Sequence, residues 1–328
     1  MLNIDKFYVI AVVSNPIRYE SRWKLFKQFE THITKLGAKL IIVEQAFGNR
    51  EFQITERMNP MHVQVRTDHE LWHKENMINI GKEFLSQYDP DWEYVAWIDG
   101  DIHFTRDDII LETAQQLQHY DIVQMFSNAI DLGPNFEFIQ NNNGFVSMYH
   151  KNNFQPPFGT GRGGYYLGDK YAYWHPGFAW AATRAAMDKI SLMDKAILGA
   201  GDHHMALCLI GEGKRSIPND DISPAYVKMV LDWEKNAVFA LRKNIGYVPG
   251  TIMHYWHGAK VNRNYQGRWD IIKKWNYDPV SDLSKDSFGL YRLNMNYGER
   301  SIGLRNGIRQ YFRSRNEDCI FYQGPHKH

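Results

Sequence analysis

The chain has 328 residues, 44% hydrophobic and 23% charged, with 38 Lys and Arg against 37 Asp and Glu. That length allows one large α/β domain or two small ones, and the composition excludes a disordered or fibrous chain. A net charge of +1 excludes a bulk polycation that coats nucleic acid or anionic membrane, and two cysteines, Cys208 and Cys319, exclude a disulfide framework and read as free thiols of a reducing cytosol.

The first residues carry no basic n-region, no long apolar h-region and no small-residue cleavage site, so no signal peptide is expected. No apolar run approaches the roughly 18 residues of a membrane span, and the expectation is a soluble, cytoplasmic protein. Residues 7–13 form a β-branched and aromatic run closed by Ser14-Asn15-Pro16, the pattern of a buried parallel strand. Trp23, Phe26, Ile33 and Leu36 fall at helical spacing over 19–36, and Gly37 ends that helix. Leu40 to Val43 is a second buried strand and Val63 to Val65 a short third one. A helix over 74–88 places Met77, Ile80, Gly81, Phe84 and Leu85 on one face. The strand Tyr94 to Ile98 then runs into Asp99-Gly100-Asp101. A helix over 107–119, opened by acidic residues, and a strand over 122–126 complete a β-α-β-α-β order with right-handed crossovers. Gly159 to Gly164 reads as a mobile loop, since no strand leads in and no Lys-Ser/Thr follows. Helices are expected over 179–193 and 202–211.

Two clusters carry chemistry. Asp99-Gly100-Asp101 ends an apolar strand, where open α/β sheets bind ligands; its carboxylates can hold a divalent cation, or form a solvated Asp-Gly turn. His254 and His257, three apart, can share a metal, or be a hydrogen-bonded pair.

In order, these pieces resemble the GT-A-fold nucleotide-sugar glycosyltransferases, most closely the β-1,4-galactosyltransferase type with its polypeptide N-acetylgalactosaminyltransferase relatives. Pro16-Ile17-Arg18 is similar to that family's Pro-Phe-Arg loop and Val43-Glu44-Gln45 to its Val-Ile-Asn-Gln segment. The run Trp72 to Gly81 is similar to its Phe-Asn-Arg-Ala-x-Leu-Leu-Asn-x-Gly helix start, and Asp99-Gly100-Asp101 stands at its Asp-Val-Asp. His175-Pro176-Gly177-Phe178 takes the place of its Gly-Gly loop. Gly199-Ala200-Gly201-Asp202 resembles Gly-Trp-Gly-Gly-Glu-Asp, and His254 and His257 match a Met and a His that ligate manganese. The likeness runs from residue 7 to 263.

The resemblance implies an α/β, Rossmann-like, mostly parallel sheet flanked by helices over 1–263, with a basic helical extension over 264–328 packed on it. It implies Mn²⁺ or Mg²⁺ on Asp101, His254 and His257, and a UDP-sugar donor held by Pro16, Arg18, Glu44, Gln45, Trp72 (stacked on uracil), Lys74, Asn79, Asp99, Lys260 and Arg263. It implies transfer to an acceptor hydroxyl, with inversion. The general base is Asp202 by chemistry or His203 by strict register, and Asp202 also suits a helix N-cap. Ala200 replaces a lid Trp, which leaves the sugar and acceptor contacts there open.

Residues 260–315 hold 12 Lys and Arg against 5 Asp and Glu. Arg305, Arg309 and Arg313 recur every fourth residue, which fits a solvated amphipathic helix or a polyanion-binding face. In style the chain is similar to phage-encoded glycosyltransferases, some of which modify hydroxymethylated DNA bases. A DNA acceptor, with the host cytoplasm as location, is therefore carried alongside a glycan or protein hydroxyl, with the aromatic stretch Tyr165 to Trp174 as acceptor platform. An inactive sugar- or DNA-binding protein is the rival from outside enzymes.

Overall fold

The computed structural model of the chain describes residues 3–156, 164–167, 170–218, 221–265, 267–296 and 298–320, with backbone pairing alone for the segments between 164 and 173. The elements β1 (Phe7–Ser14), α1 (Glu20–Lys35), β2 (Lys39–Phe47), β3 (His62–Thr67), α2 (Lys74–Tyr88) and β4 (Tyr94–Ile98) come first. They are followed by β5 (Ile102–Phe104), α3 (Ile109–Gln116), β6 (Ile122–Gln124), β7 (Asn128–Leu132), β8 (Phe138–Gly144) and α4 (Phe145–Lys151). Next come β9 (Gly164–Leu167), β10 (Lys170–His175), β11 (Ala179–Thr183), α5 (Arg184–Met187), α6 (Gly201–Leu209) and α7 (Pro224–Leu241). The chain then forms β12 (Ile245–Tyr247), β13 (Thr251–His254), α8 (Gly267–Lys274), β14 (Leu283–Lys285), β15 (Tyr291–Leu293) and α9 (Glu299–Ser314).

The central sheet has the order β12-β6-β11-β4-β1-β2-β3 and is mostly parallel, β11 running antiparallel to both of its neighbours. β1 is apolar at nearly every position because both of its faces are covered. Val9, Ala11 and Val13 pack with Phe26, Phe29 and Ile33 of α1, while Tyr8 and Ile10 join Met77, Ile78 and Leu85 of α2. Gly81 makes the second contact possible: a Cβ there would stand 2.8 Å from the Ile10 side chain.

The expected helix over 179–193 is overturned. Residues 179–183 form β11, hydrogen-bonded between β4 and β6, and only Arg184–Met187 is helical. Alanine favours helix by a few tenths of a kcal/mol per residue. Two strands with free edges, and the burial of Trp180, Ala181 and Ala182, outweigh that preference.

A second sheet, β5-β13-β7-β8-β10-β9, stands beyond the carboxyl end of β4. β9 and β10 pair antiparallel through Tyr165 and Ala172, so the expected aromatic platform is a hairpin in its backbone; its side chains through Tyr173 lie outside the described residues, as do Gly159 to Gly163. Toward the C-terminus, Ile272, Leu290, Leu304, Ile308 and Phe312 are buried in the same apolar cluster as Ile10 and Met77. Among the described residues no helix is long and apolar enough to cross a membrane.

Candidate metal and transfer site

β4 ends where the chain meets charge. Gly100 lies against Phe26, where a Cβ would come within 2.5 Å of the ring, so no larger residue fits between Asp99 and Asp101. The backbone fixes this turn on both sides: Asp99 N donates to Phe178 O at 2.8 Å, and Tyr255 N donates to Asp101 O at 2.9 Å. The second bond brings the end of β13 against the aspartates. Asp101 Oδ2 lies 3.0 Å from His257 Nε2 and 4.0 Å from His254 Nε2, and the two Nε2 atoms are 3.2 Å apart. One ligand atom from each of the three residues falls within 4.8 Å of the others.

Asp131 completes this arrangement and was not legible in the sequence. It lies on β7, in register with His254 on the parallel neighbour β13. Its Oδ1 accepts the His254 Nδ1–H at 2.6 Å, while Oδ2 takes Asn142 Nδ2 at 2.8 Å and the Lys260 ammonium. A proton on Nδ1 leaves the Nε2 lone pair of His254 turned toward Asp101 and His257, as a metal ligand requires. Burial works against ionisation of Asp131, but His254 and Lys260 prevail and hold its carboxyl well below the usual range. Asp101 is likewise held low, burial being outweighed by His257, His254 and Arg263. Burial first, then Arg263, lowers His257 to about 4. At neutral pH the cluster is thus an anionic carboxylate with His257 neutral, the protonation states that bind a cation. Asp101 Oδ1 is buried without a hydrogen-bond partner. An orphaned carboxylate oxygen beside converging imidazole nitrogens fits a divalent ion. Two imidazoles with one carboxylate suit Mn²⁺ or another transition ion better than Mg²⁺.

Lys74 opens α2, and its ammonium pairs with Asp99. α6 begins after Ala200, whose φ of +81° is a left-handed conformation, and Asp202 sits in its first turn with Oδ1 accepting from His203 N at 2.8 Å. Gly177 gives Asp202 its place: a Cβ at 177 would stand 2.6 Å from Asp202 Oδ2. Burial opposes the charge of Asp202, yet Lys74, Arg268 and His175 outweigh it and lower its pKa. Burial lowers His203 to about 4, so a neutral imidazole neighbours an ionised Asp202. His204 is spent on Ser216 and Tyr226. Lys74, Glu75 and Asp202 line a small pocket whose other walls are mostly apolar side chains, Ile78, Met205 and Trp233 among them.

Arg263 stands beside Asp101 and His257, and Arg268 beside Asp202; each has a buried Nε that has no hydrogen-bond partner. Arg263 is 7% exposed, its Nη1 3.4 Å from Tyr265 Oη, and Arg268 lies over the Tyr265 and Trp269 rings. Neither guanidinium has an ion-pair partner among the described residues. Behind them the C-terminal segment closes the site. The Phe312 ring runs parallel to Trp72 at 6.3 Å, and the Arg315 guanidinium stands 5.2 Å from Trp72. Glu317, 1% exposed, binds Arg315 Nε at 2.5 Å and Arg22 Nη2 at 2.7 Å. Asp318 accepts from the first backbone amides of α1, at Glu20 and Ser21. Gly258, at φ +87°, lies so close to Asn316 and Glu317 that a Cβ would come within 2.8 Å of both.

The structure brings Asp99, Asp101, His254, His257, Lys74, Arg263 and Asp202 together, with His203 at the edge. Lys260 reaches Asp131 instead of opening toward a phosphate. Trp72 is engaged by the chain's own Phe312 and Arg315. Glu44 is 4% exposed and accepts from the Gln53, Ile54 and Thr55 amides, which makes it a brace for that loop. Gln45 bonds His73 Nδ1 through one of its amide atoms, and Asn79 bonds both backbone groups of Leu192. The Pro16 carbonyl accepts from Arg50, and Arg18, at φ +67°, lies over Trp23. Asp131, Arg268 and Arg315 were missed. Asp131 sits in a stretch with no motif, and the arginines were indistinguishable from the general charge of the tail.

No family model matches the chain, and no curated protein matches it. Among solved structures, a protein from Desulfovibrio desulfuricans G20 named for nucleotide-diphospho-sugar transfer is 12% identical, over 93% of this chain and 98% of that one, with a TM-score of 0.33. A mutant of Drosophila β1,4-galactosyltransferase 7, in complex with manganese, UDP-Gal and xylobiose, is 14% identical over 61% of this chain and 59% of that one, with a TM-score of 0.31. A glycosyltransferase involved in glycosylation of the major capsid of PBCV-1 is 8% identical over 76% of this chain and 91% of that one, with a TM-score of 0.30. These likenesses are too distant for a residue role or an activity to be transferred from them.

Proposed function

We propose that the protein is a divalent-metal-dependent glycosyltransferase that passes a sugar from a nucleoside diphosphate to an acceptor hydroxyl. The observation that carries this reading is the Asp101–His254–His257 cluster with its orphaned carboxylate oxygen, with Arg263 beside Asp101 and Arg268 beside Asp202, each presenting an Nε without a hydrogen-bond acceptor. Both Nε atoms are buried, and a diphosphate oxygen can supply the missing acceptor. A bound divalent ion would add Lewis-acid neutralisation of the leaving diphosphate. Asp101, His254 and His257 would hold that ion, and Asp131 keeps His254 in the ligating tautomer. Arg263 and Arg268 hold diphosphate oxygens, and Lys74 with Asp99 faces the donor sugar. Asp202 accepts the proton of the acceptor hydroxyl as its oxygen bonds to the anomeric carbon, and the diphosphate departs with the electron pair of the broken bond.

The motif resemblance favours a UDP-sugar and inversion. Among acceptors, a glycan or protein hydroxyl is favoured over a DNA base, because much of the tail's charge is spent internally. Arg309 and Arg313 pair with Glu70, Arg300 with Asp282 and Arg315 with Glu317.

The test is thermal unfolding with a panel of nucleotide-sugars, with Mn²⁺ or with EDTA. Donor binding to the native state raises the midpoint. Stabilisation that needs Mn²⁺ and disappears in His257→Ala, together with slow metal-dependent release of the sugar, supports the reading. Equal stabilisation in EDTA refutes it, and metal-dependent binding without any sugar release identifies a binding protein.

A further inference from the structure

Glu75 follows Lys74 in the first turn of α2, at a place where the motif it resembles carries alanine, so this carboxyl belongs to this chain in particular. It is 4% exposed and has no ion-pair partner among the described residues. Room for it exists because residue 201 is glycine: a Cβ there would lie 2.7 Å from the Glu75 carboxyl. The residue after that glycine is Asp202, and Glu75 and Asp202 line the same cavity.

The charged and titratable groups that face Glu75 come from each element packed around it. Lys74 is on its own helix, Asp99 is at the end of β4, Asp202 is on α6 and Tyr226 is on α7. Toward the cavity its surroundings are apolar, with Ile78, Met205 and Trp233. One ammonium thus serves three carboxyls in an enclosure that screens charge poorly. Asp99 has the ammonium directly, and Asp202 has Arg268 and the start of a helix as well. Glu75 also stands in the first turn of a helix, but among the described residues no cation lies within ion-pair distance of it, and burial outweighs what the helix start and Lys74 offer its charge. Burial first, then repulsion from Asp202 and Asp99 against the pull of Lys74, pushes Glu75 up to about 8.

We propose that Glu75 is a positioning residue for the proton acceptor of this site. As a neutral acid packed against Gly201, it leaves the Lys74 ammonium to Asp99 and Asp202 and lets Asp202 stay ionised in its place against Gly177. The role rests on the reading of Asp202 as the base. When Glu75 ionises, it draws Lys74 off Asp99 and repels Asp202.

The experiment compares the full-length wild type with Glu75→Gln, which keeps the shape and removes the titration. The first readout, the unfolding midpoint against pH without metal or donor, does not depend on any activity. A carboxyl whose pKa is raised in the folded state is protonated there when the unfolded chain has already released its proton, so stability falls as pH rises from about 4.5 to about 8. The wild-type midpoint is therefore expected to drop relative to Glu75→Gln across that window; parallel curves overturn the proposal. The second readout is the rate of sugar transfer or release against pH. The wild type should lose about tenfold per pH unit above its alkaline limb, and the limb should be absent in Glu75→Gln. An unchanged limb overturns the positioning role, even where the midpoints diverge. If Glu75→Gln fails to fold, the same limb is sought in Glu75→Asp, where a shorter carboxyl should shift it; no shift overturns the role. Absence of transfer by the wild type at every pH removes the glycosyltransferase reading and this role with it, while the midpoint difference still decides where the proton sits.

Discussion

Replacing Asp131 by Asn tests how the metal cluster is held. The carboxylate is 2% exposed and accepts the His254 Nδ1–H at 2.6 Å, a charge-assisted bond that selects the ligating tautomer. An amide of the same shape can preserve the Asn142 contact and the packing, but it removes the negative charge and can present an N–H to Nδ1. The tautomer with Nε2 protonated then competes for His254, and that tautomer cannot bind a metal. Such outer partners are worth about 10–100-fold in metal affinity, which corresponds to about 1.4–2.7 kcal/mol. Mn²⁺ alone, titrated by calorimetry or by loss of the free-ion resonance, reads this directly, because no donor or acceptor need be known. His257→Ala should lose more, since a ligand itself is gone. Lys260→Ala should lose less, because Asp131 keeps its bond to His254. Wild-type Mn²⁺ affinity in Asp131→Asn would refute the argument that Asp131 sets the tautomer.

Three other outcomes are expected. Glu317→Gln should cost about 3–5 kcal/mol in unfolding experiments, because it leaves the buried Arg315 without its carboxylate. Burial opposes the charge of Glu317 but Arg22 and Arg315 hold its pKa far down, so its contribution is complete above about pH 4.5 and is lost as pH falls below that; acid unfolding of the variant should show a shallower slope than that of the wild type. Trp72→Ala should lower stability by up to about 3 kcal/mol through lost contacts with Phe312 and Arg315, and a nucleotide affinity that stays unchanged in the folded variant would show that the indole serves the tail and not the base. Asp202→Asn should leave Mn²⁺ and donor binding intact and slow transfer by about 10²–10⁴-fold; transfer at the wild-type rate would move the base elsewhere.

The parts of the fold that were legible in the sequence are those whose burial is two-sided and local. β1, α2 and β4 have unbroken apolar runs or a clear helical face between turn residues, and the structure places α2 and β4 at the expected residues. The aspartates after β4 and the His pair at β13 were visible too, because charge that follows an apolar strand directly marks the sheet edge where ligands bind. Residues 179–183 show where such reading stops. Ala-Trp-Ala-Ala-Thr carries no alternation, and its state is decided by the open edges of β4 and β6, which lie far away in sequence.

The sequence by itself determined an α/β chain with an acidic turn at a strand end and two histidines capable of meeting it. Only the tertiary structure decided which polar groups are free to act. Glu44, Gln45 and Asn79 are as polar as Asp101, and nothing in their spacing tells that they bond loop amides, His73 and Leu192. Likewise, only the parallel pairing of β7 with β13 puts Asp131 behind His254, and only the return of the C-terminal segment brings Arg315 onto Trp72 and Glu317 between two arginines. A hydrogen bond or ion pair depends on a few tenths of an ångström between residues more than a hundred apart in the chain. Local pattern carries the hydrophobic period but not that distance.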